Sequence, residues 1–493
     1  AGRRPSLIPL GYGLFMHDGE VVLGPRVDPA GDPLLVLRAA LVAARNQLPL
    51  AAATVANLAE LSPALPSPWP PEALAIFCDL LAAGPGLVQV WEGLDLAGVV
   101  EMWIPQWAAV RSRPQRNLVH RHTVDRHLIE TVVAAAGLVR HVARPDLLLL
   151  AALLHDIGKV AGSLDHSDTG ARIVVSILDR MGLSSDDAAV VVRLVREHLT
   201  LMDLATRRDP SDPKTVEAVI EAAGGSADLL DQLAVLTEAD AFAAGPLAWT
   251  DWRAQLFSRL VASARAHLRS GPDRVVEEPT AELSVLTPEM TARLSMGQPC
   301  VTVSSHGGVH RIDIVDRDRH GLFADTAGLL AAQGFVVRSA LVRTIEGVAA
   351  NEWHVESPGG DTPDPDGLAR GLERLTGGDR TPLAPLSRRR RPAPIASARA
   401  GTGQPGQARA LVLAHASDTA TVIEVRATDR PGLLHDIGVT MARASLNVRS
   451  AHISTYAGQA LDTFYLSEFG SRPLSPARVA QAVSMIIDTC ETV

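Results

Sequence analysis

The sequence predicts a multidomain chain in which an all-α region is followed by two small α+β units. Three observations predict it. Helical periodicity with short Pro, Gly and Asp punctuation runs from Pro71 to about Ser270. After Gly271 the pattern turns alternating or β-branched, as at Val301 to Val303 and Val309 to Val315. A β-α-β-β-α order then occurs twice, the copies aligning on Asp318-Arg319-His320-Gly321-Leu322 and Asp429-Arg430-Pro431-Gly432-Leu433.

The elements follow in order. Gly11 to Leu23 reads as a β-hairpin turning at Asp18-Gly19. Asp32 to Ala59 reads as Ala/Leu-rich helix, ended by Pro63, Pro66, Pro68, Pro70 and Pro71. Asp186-Asp187 and Asp212-Pro213 suit the first turns of later helices. In the first repeat, strands are expected at 335–344 and 348–356, with helices at 322–333 and 365–375. In the second, strands are expected at 421–427, 448–456 and 460–467, with helices at 433–444 and 476–487. Residues 377–408 are rich in Pro, Gly and Ser and carry the run Arg388 to Arg391. That run reads as a solvated linker, with a docking strip for an acidic partner as the alternative.

Composition narrows the class. The chain has 493 residues, enough for about three domains, and a formal charge of -9, which is not the basic surplus of a general nucleic-acid binder. Cys78, Cys300 and Cys490 lie far apart, with no zinc or disulfide spacing, so a reducing cytoplasm is expected. The longest strongly apolar run, Leu147 to Leu154, is too short for a bilayer, which needs about 20 residues. Of 46 basic residues only Lys159 and Lys214 are lysines. A lysine kept against that bias, as at Lys159, marks a position that needs more than charge.

That apolar run ends directly in His155-Asp156-Ile157-Gly158-Lys159. Adjacent His and Asp at a helix end can share one cation, offering nitrogen and oxygen donors that suit Mn, Fe, Co or Zn better than Ca. Further ligands are expected from His127, on a helix whose apolar face is Leu128, Val132, Val133 and Ala136, and from Asp240 in Thr237-Glu238-Ala239-Asp240. This set resembles the HD phosphohydrolase superfamily. The resemblance implies a divalent metal, Mn2+ first and Mg2+, Fe2+ or Zn2+ as alternatives, with metal ligands His127, His155, Asp156 and Asp240. It also implies a second ion at His166 and His198, and catalytic roles for Asp156 and Lys159. His120 and His122 are read as substrate-side or structural. His435-Asp436-Ile437-Gly438 repeats the letters inside a small α+β unit without such partners, and is read as a decoy.

The wider context is similar to PII uridylyltransferase/uridylyl-removing enzymes. It rests on Thr123-Val124-Asp125-Arg126-His127, on the block Glu197 to Pro213, on Thr237 to Asp240, on Trp249 and Trp252, and on the paired Asp-Arg-x-Gly-Leu turns. The resemblance implies an HD hydrolase domain followed by two ferredoxin-like βαββαβ ACT domains. It implies removal of UMP, or AMP, from a tyrosine of a PII signal protein, under control of glutamine at the ACT turns. Asp318, Gly321, Asp429, Pro431 and Gly432 are the effector-binding candidates, since a helix N-terminus can hold a carboxylate. His320 stands where the second copy has Pro431, which leaves open which copy binds.

The expected divisions are residues 1–70, 71–275 (HD), 297–376 (first ACT), 377–418 (linker) and 419–493 (second ACT). The Gly-Ser and paired-Asp block of the transferase is not found upstream, so the transferase half is expected to be missing and residues 1–70 to be its remnant. No nucleic-acid or membrane partner is expected. A ppGpp or nucleotide hydrolase of the HD class, and a glutamine-sensing PII-binding module with a vestigial site, are the competing expectations.

Overall fold

The computed structural model describes residues 7–115, 121–246, 248–270, 287–306, 308–345, 347–389, 407–456, 458–468 and 472–491. His120, Arg390 and Arg391 lie outside them. Two compact units emerge: Ala1–Met202 with Val219–Thr250, and Asp203–Ala218 with Asp251–Val493. The helix Asp251–Ser270 therefore groups with the second unit.

The first unit opens with a three-stranded antiparallel sheet of β1 (Ile8–Gly11), β2 (Leu14–His17) and β3 (Glu20–Leu23). Asp18 and Gly19, with φ of 52° and 83°, form the expected turn between β2 and β3. The helix expected over 32–59 is two helices, Leu35–Arg45 and Ala52–Leu61. Between them the chain runs beside β3: the Val21 amide donates to Pro49 O and the Ala51 amide to Val21 O. That backbone pairing and Pro49 outweigh the helical composition.

The functional helices are α1 (Val124–Ala136), α2 (Pro145–Leu154), α3 (His166–Met181), α4 (Ser185–Glu197) and α5 (Ala227–Ala244). In α2 every residue from Leu147 to Leu154 is buried, so it is the central helix and has no polar face. Pro145 starts it without losing a hydrogen bond. On α1 the buried side includes Leu128, Ile129, Val132 and Ala135; Ile129 and Ala135 replace the expected Val133 and Ala136. The Asp165 carboxylate caps α3, accepting from the Ser167 and Asp168 amides, and Ser184 Oγ caps α4.

The second unit holds a nine-stranded sheet built from two repeats. Its strands are β4 (Cys300–His306), β5 (Val309–Arg317), β6 (Val336–Ile345), β7 (Val348–Glu356), β8 (Arg409–Val412), β9 (Thr421–Thr428), β10 (Asn447–His452), β11 (Thr455–Tyr456) and β12 (Gln459–Ser467). The order is β4-β5-β7-β6-β10-β12-β9-β8, with β11 on β12. The α+β class stands, but the edge strand of each repeat comes before it, as β4 or β8, rather than closing it. The expected strand 448–456 is divided into β10 and β11.

Helices α6 (Leu322–Gln333) and α8 (Leu433–Arg443) pack against each other, and α7 (Pro365–Thr376) and α9 (Pro476–Glu491) complete the repeats. One shared core includes Ile312, Leu330, Trp353, Ile423, Ile437 and Phe464. Phe323 stacks on Trp353 with centroids 5.1 Å apart and meets Phe464 edge-on at 6.5 Å, so the repeats are packed as one layer. Among the described residues no helix is long and apolar enough to cross a membrane.

Candidate metal centre

Five of the first unit's helices bring side chains to one buried point. His127 comes from α1 and Asp240 from α5, while His155 and Asp156 follow the end of α2. His166 begins α3 and His198 ends α4. His127, His155, Asp156 and His198 are at most 2% exposed.

These six side chains form two groups whose donor atoms lie within 4.8 Å: His127, His155 and Asp240, and Asp156, His166 and His198. Asp156 joins them. Its Oδ2 is 3.7 Å from His127 Nε2 and 3.5 Å from His155 Nε2, while its Oδ1 is 3.5 Å from His166 Nε2 and 3.6 Å from His198 Nε2. Asp240 Oδ1 is 2.8 Å from His127 Nε2 and 3.5 Å from His155 Nε2.

The orientation of the rings is fixed from behind. His155 Nδ1 lies 2.9 Å from Ala152 O and His198 Nδ1 2.7 Å from Val195 O. In the neutral ring a carbonyl at Nδ1 demands the proton there, which leaves the Nε2 lone pair facing inward. His155 Nε2, His166 Nε2, His198 Nε2 and Asp156 Oδ1 are all buried without a hydrogen-bond partner among the described residues. Buried polar atoms are rarely left so. Four of them converging with carboxylates fit one or two divalent cations of nitrogen/oxygen preference.

Without an ion the carboxylates draw a proton onto the cluster instead. Burial alone would lower the His155 imidazolium, but Asp156 and Asp240 carry it up to about 10. Burial would raise both carboxyls, yet His155 and Lys159 hold Asp156 well below the usual range, and His155 and His127 do so for Asp240. Burial draws His166 below its ordinary value.

Gly158 makes the second group possible. A Cβ there would lie 2.0 Å from His166 O and 2.3 Å from Gly170 N, so only glycine lets the start of α3 come this close. Lys159 forms an ion pair with Asp156 and donates to Gln115 Oε1 at 2.7 Å. Thr237, one turn before Asp240, donates to Leu233 O at 2.8 Å. Gln115 was not singled out by sequence reasoning, because no local pattern links it to Lys159.

Other candidates lie elsewhere. His122 is half-buried, and its burial draws it below the ordinary value. Gly321 and Gly432, with φ of 87° and 83°, start α6 and α8, and the Asp318 and Asp429 amides donate to Gly347 O and Gly458 O. Arg319 reaches Asp325 at 2.7 Å and Arg430 reaches Asp436 at 2.6 Å, so the two turns use the same internal pair. Pro431 is exposed beside Gly432. His435 Nδ1 lies 2.7 Å from Ala324 O, and no candidate metal cluster among the described residues includes His435 or Asp436.

Fold and site together define an HD-domain chain with an ACT-type sheet: the HD domain model matches residues 124–245 and the ACT domain model residues 421–463. The first repeat shares the second's strand order, β4-β5-β7-β6 matching β8-β9-β12-β10, without a counterpart of β11 among the described residues. At about 40% identity over most of its length, the chain is a homologue of bifunctional uridylyltransferase/uridylyl-removing enzymes. Such an enzyme from Streptomyces coelicolor is 39% identical over 98% of this chain and 62% of its own length. That of Mycobacterium tuberculosis is 41% identical over 94% of this chain and 57% of its own. That of Corynebacterium glutamicum is 33% identical over 72% and 47%. The chain thus spans roughly three-fifths of the first two relatives.

Proposed function

We propose that this chain is a divalent-metal phosphodiesterase that removes UMP, or AMP, from a modified tyrosine of a PII signal protein, and that glutamine at the ACT turns sets its rate. The observation that carries the reading is the pair of histidine–carboxylate groups sharing Asp156. His127, His155 and Asp240 would hold one ion and His166 and His198 a second, with Asp156 between them. The donor mix favours Mn2+, with Mg2+, Fe2+ or Zn2+ as substitutes. When bound, such ions supply a nucleophile at neutral pH and neutralise phosphoryl charge.

The chain's own residues do the rest. The histidines and Asp156 would fix where the ions sit, and so where a phosphoryl group is held, and Lys159 offers its ammonium to charge developing on the phosphoryl oxygens. A tyrosine phenolate, of conjugate-acid pKa about 10, leaves without a strong general acid. The turns Asp318–Gly321 and Asp429–Gly432 present helix N-termini suited to an amino-acid carboxylate. On this reading the hydrolase lies within residues 71–275, the sensors are 297–376 and 419–493 with β8 added to the second, and the free thiols Cys78, Cys300 and Cys490 suit a reducing cytoplasm.

The test is to incubate the chain with Mn2+, glutamine and PII carrying UMP or AMP, and to follow released nucleotide by chromatography. Metal-dependent release of one nucleotide, faster with glutamine, is the expected result. No release from either form would overturn the reading.

A further inference from the structure

Lys159 is held from two sides, by Asp156 and by Gln115 Oε1, 2.7 Å away. An ammonium only donates, so the amide must turn its oxygen to Lys159 and its nitrogen elsewhere. Gln115 Nε2 is buried and has no hydrogen-bond partner among the described residues. The two ends of an amide are about 2.3 Å apart, which keeps Nε2 within about 5 Å of the Lys159 ammonium. The other orphaned atoms here are the His155, His166 and His198 Nε2 lone pairs and Asp156 Oδ1, which seek cations. Gln115 Nε2–H is a donor and seeks an acceptor. A phosphoryl anion held by cations would satisfy both kinds at once.

We propose that Gln115 is a substrate-binding residue of this site, its Nε2 donating to a non-bridging phosphoryl oxygen beside Lys159. The proposal rests on the hydrolase reading above and adds a residue to it. Gln115 has two separable jobs: its oxygen steadies Lys159, and its nitrogen reads the phosphate.

Two substitutions separate them. Gln115→Ala removes both. Gln115→Glu keeps an oxygen for Lys159 but sets an anionic oxygen against the phosphoryl group. The proteins are loaded with Mn2+ and compared by calorimetry with UMP and by hydrolysis of uridylyl-tyrosine. Gln115→Ala is expected to lower kcat/KM about 100-fold, the scale of losing one donor to a developing oxyanion, and to weaken UMP binding. Gln115→Glu is expected to fall at least as far, and Mn2+ affinity to change less than UMP affinity in Gln115→Ala, because Gln115 touches Lys159 and none of the candidate ligands. Wild-type UMP affinity and rate in Gln115→Glu would overturn the proposal and leave only the positioning of Lys159. So would a wild type that does not bind UMP. A wild type that binds UMP but hydrolyses nothing would sink the hydrolase reading alone, since the binding comparison still reports on Gln115.

Discussion

The tetrapeptide His-Asp-Ile-Gly occurs twice in this chain, at His155–Gly158 and His435–Gly438, and the two copies do different things. The first ends helix α2, buried from Leu147 to Leu154, where four other side chains converge on it. The second lies within the first turns of α8, where His435 Nδ1 meets Ala324 O and Asp436 pairs with Arg430. The histidine ring also fills the space over Gly328, where a Cβ would stand 2.5 Å from His435 Nδ1. One histidine faces other candidate ligands; the other serves helix packing. Four letters specify neither fate. What decides is whether the flanking helix is apolar all round, and therefore central, or has a solvent side.

The contrast can be attacked most directly at the aspartates. Asp156→Ala should abolish hydrolysis, by at least about 10³-fold, while leaving PII binding largely intact. Asp436→Ala should leave turnover and Mn2+ content unchanged and cost at most about 1 kcal/mol, because its ion pair is partly exposed. Parallel measurement of released nucleotide and bound Mn2+ checks both; equal losses would erase the distinction.

The glycines come next. Gly158→Ala forces a methyl onto His166 O and Gly170 N, at a cost of about 1–3 kcal/mol, and should displace His166. A fall in activity of roughly tenfold or more is expected, with weaker binding of a second Mn2+. In Gly438→Ala the nearest atoms are 3.0 Å away, on Ala324 and Phe323. That variant should lower the melting temperature of the ACT sheet without touching metal content.

A third contrast is pH. Burial opposes the His155 charge, but Asp156 and Asp240 more than offset it and hold the ring up to about 10. A group raised in the folded state contributes stability in full below its unfolded value, about 6.5 for histidine. That contribution is lost as pH rises through about 10. Melting of the metal-free protein should therefore move to lower temperature between pH 7 and 10. His155→Gln should flatten that decline, and His435→Gln should leave it in place. A small effect of the same order as Asp436→Ala belongs to His435→Ala, which loses one part-buried hydrogen bond and should cost about 1 kcal/mol, read as a modest drop in melting temperature.

The divergence also marks what a sequence discloses. His155, Asp156 and Lys159 were legible because they are contiguous after an apolar run. His127 and Asp240 were expected from the helices that carry them, whereas His166 and His198 were reachable only through the pattern shared with a known superfamily, since all four come from separate helices. That one carboxylate faces both groups depends on side-chain direction, which no spacing encodes. Gln115 stayed invisible because it lies 44 residues from Lys159, with no periodic pattern joining them. The repeat was legible from its turns, down to the helices that start at Leu322 and Leu433. The early edge strands β4 and β8 were less so, because short strands carry little alternation. The break after Arg45 was missed because alanine and leucine suit a helix, whereas pairing of Pro49 and Ala51 with Val21 is a long-range preference.

Strand β10 lies antiparallel to β6, with Ser450 opposite Leu341 and His452 opposite Ser339. A bare strand edge is a template for any extended chain that meets it, which is how sheets recruit strangers and aggregate. Here each repeat is the stranger the other would otherwise attract. The pairing that two molecules would have to find by collision is supplied within one chain, at a concentration fixed by the tether. Severing the chain between the repeats would uncover the β6 edge, and its fragments would reassociate or precipitate as their concentration rose.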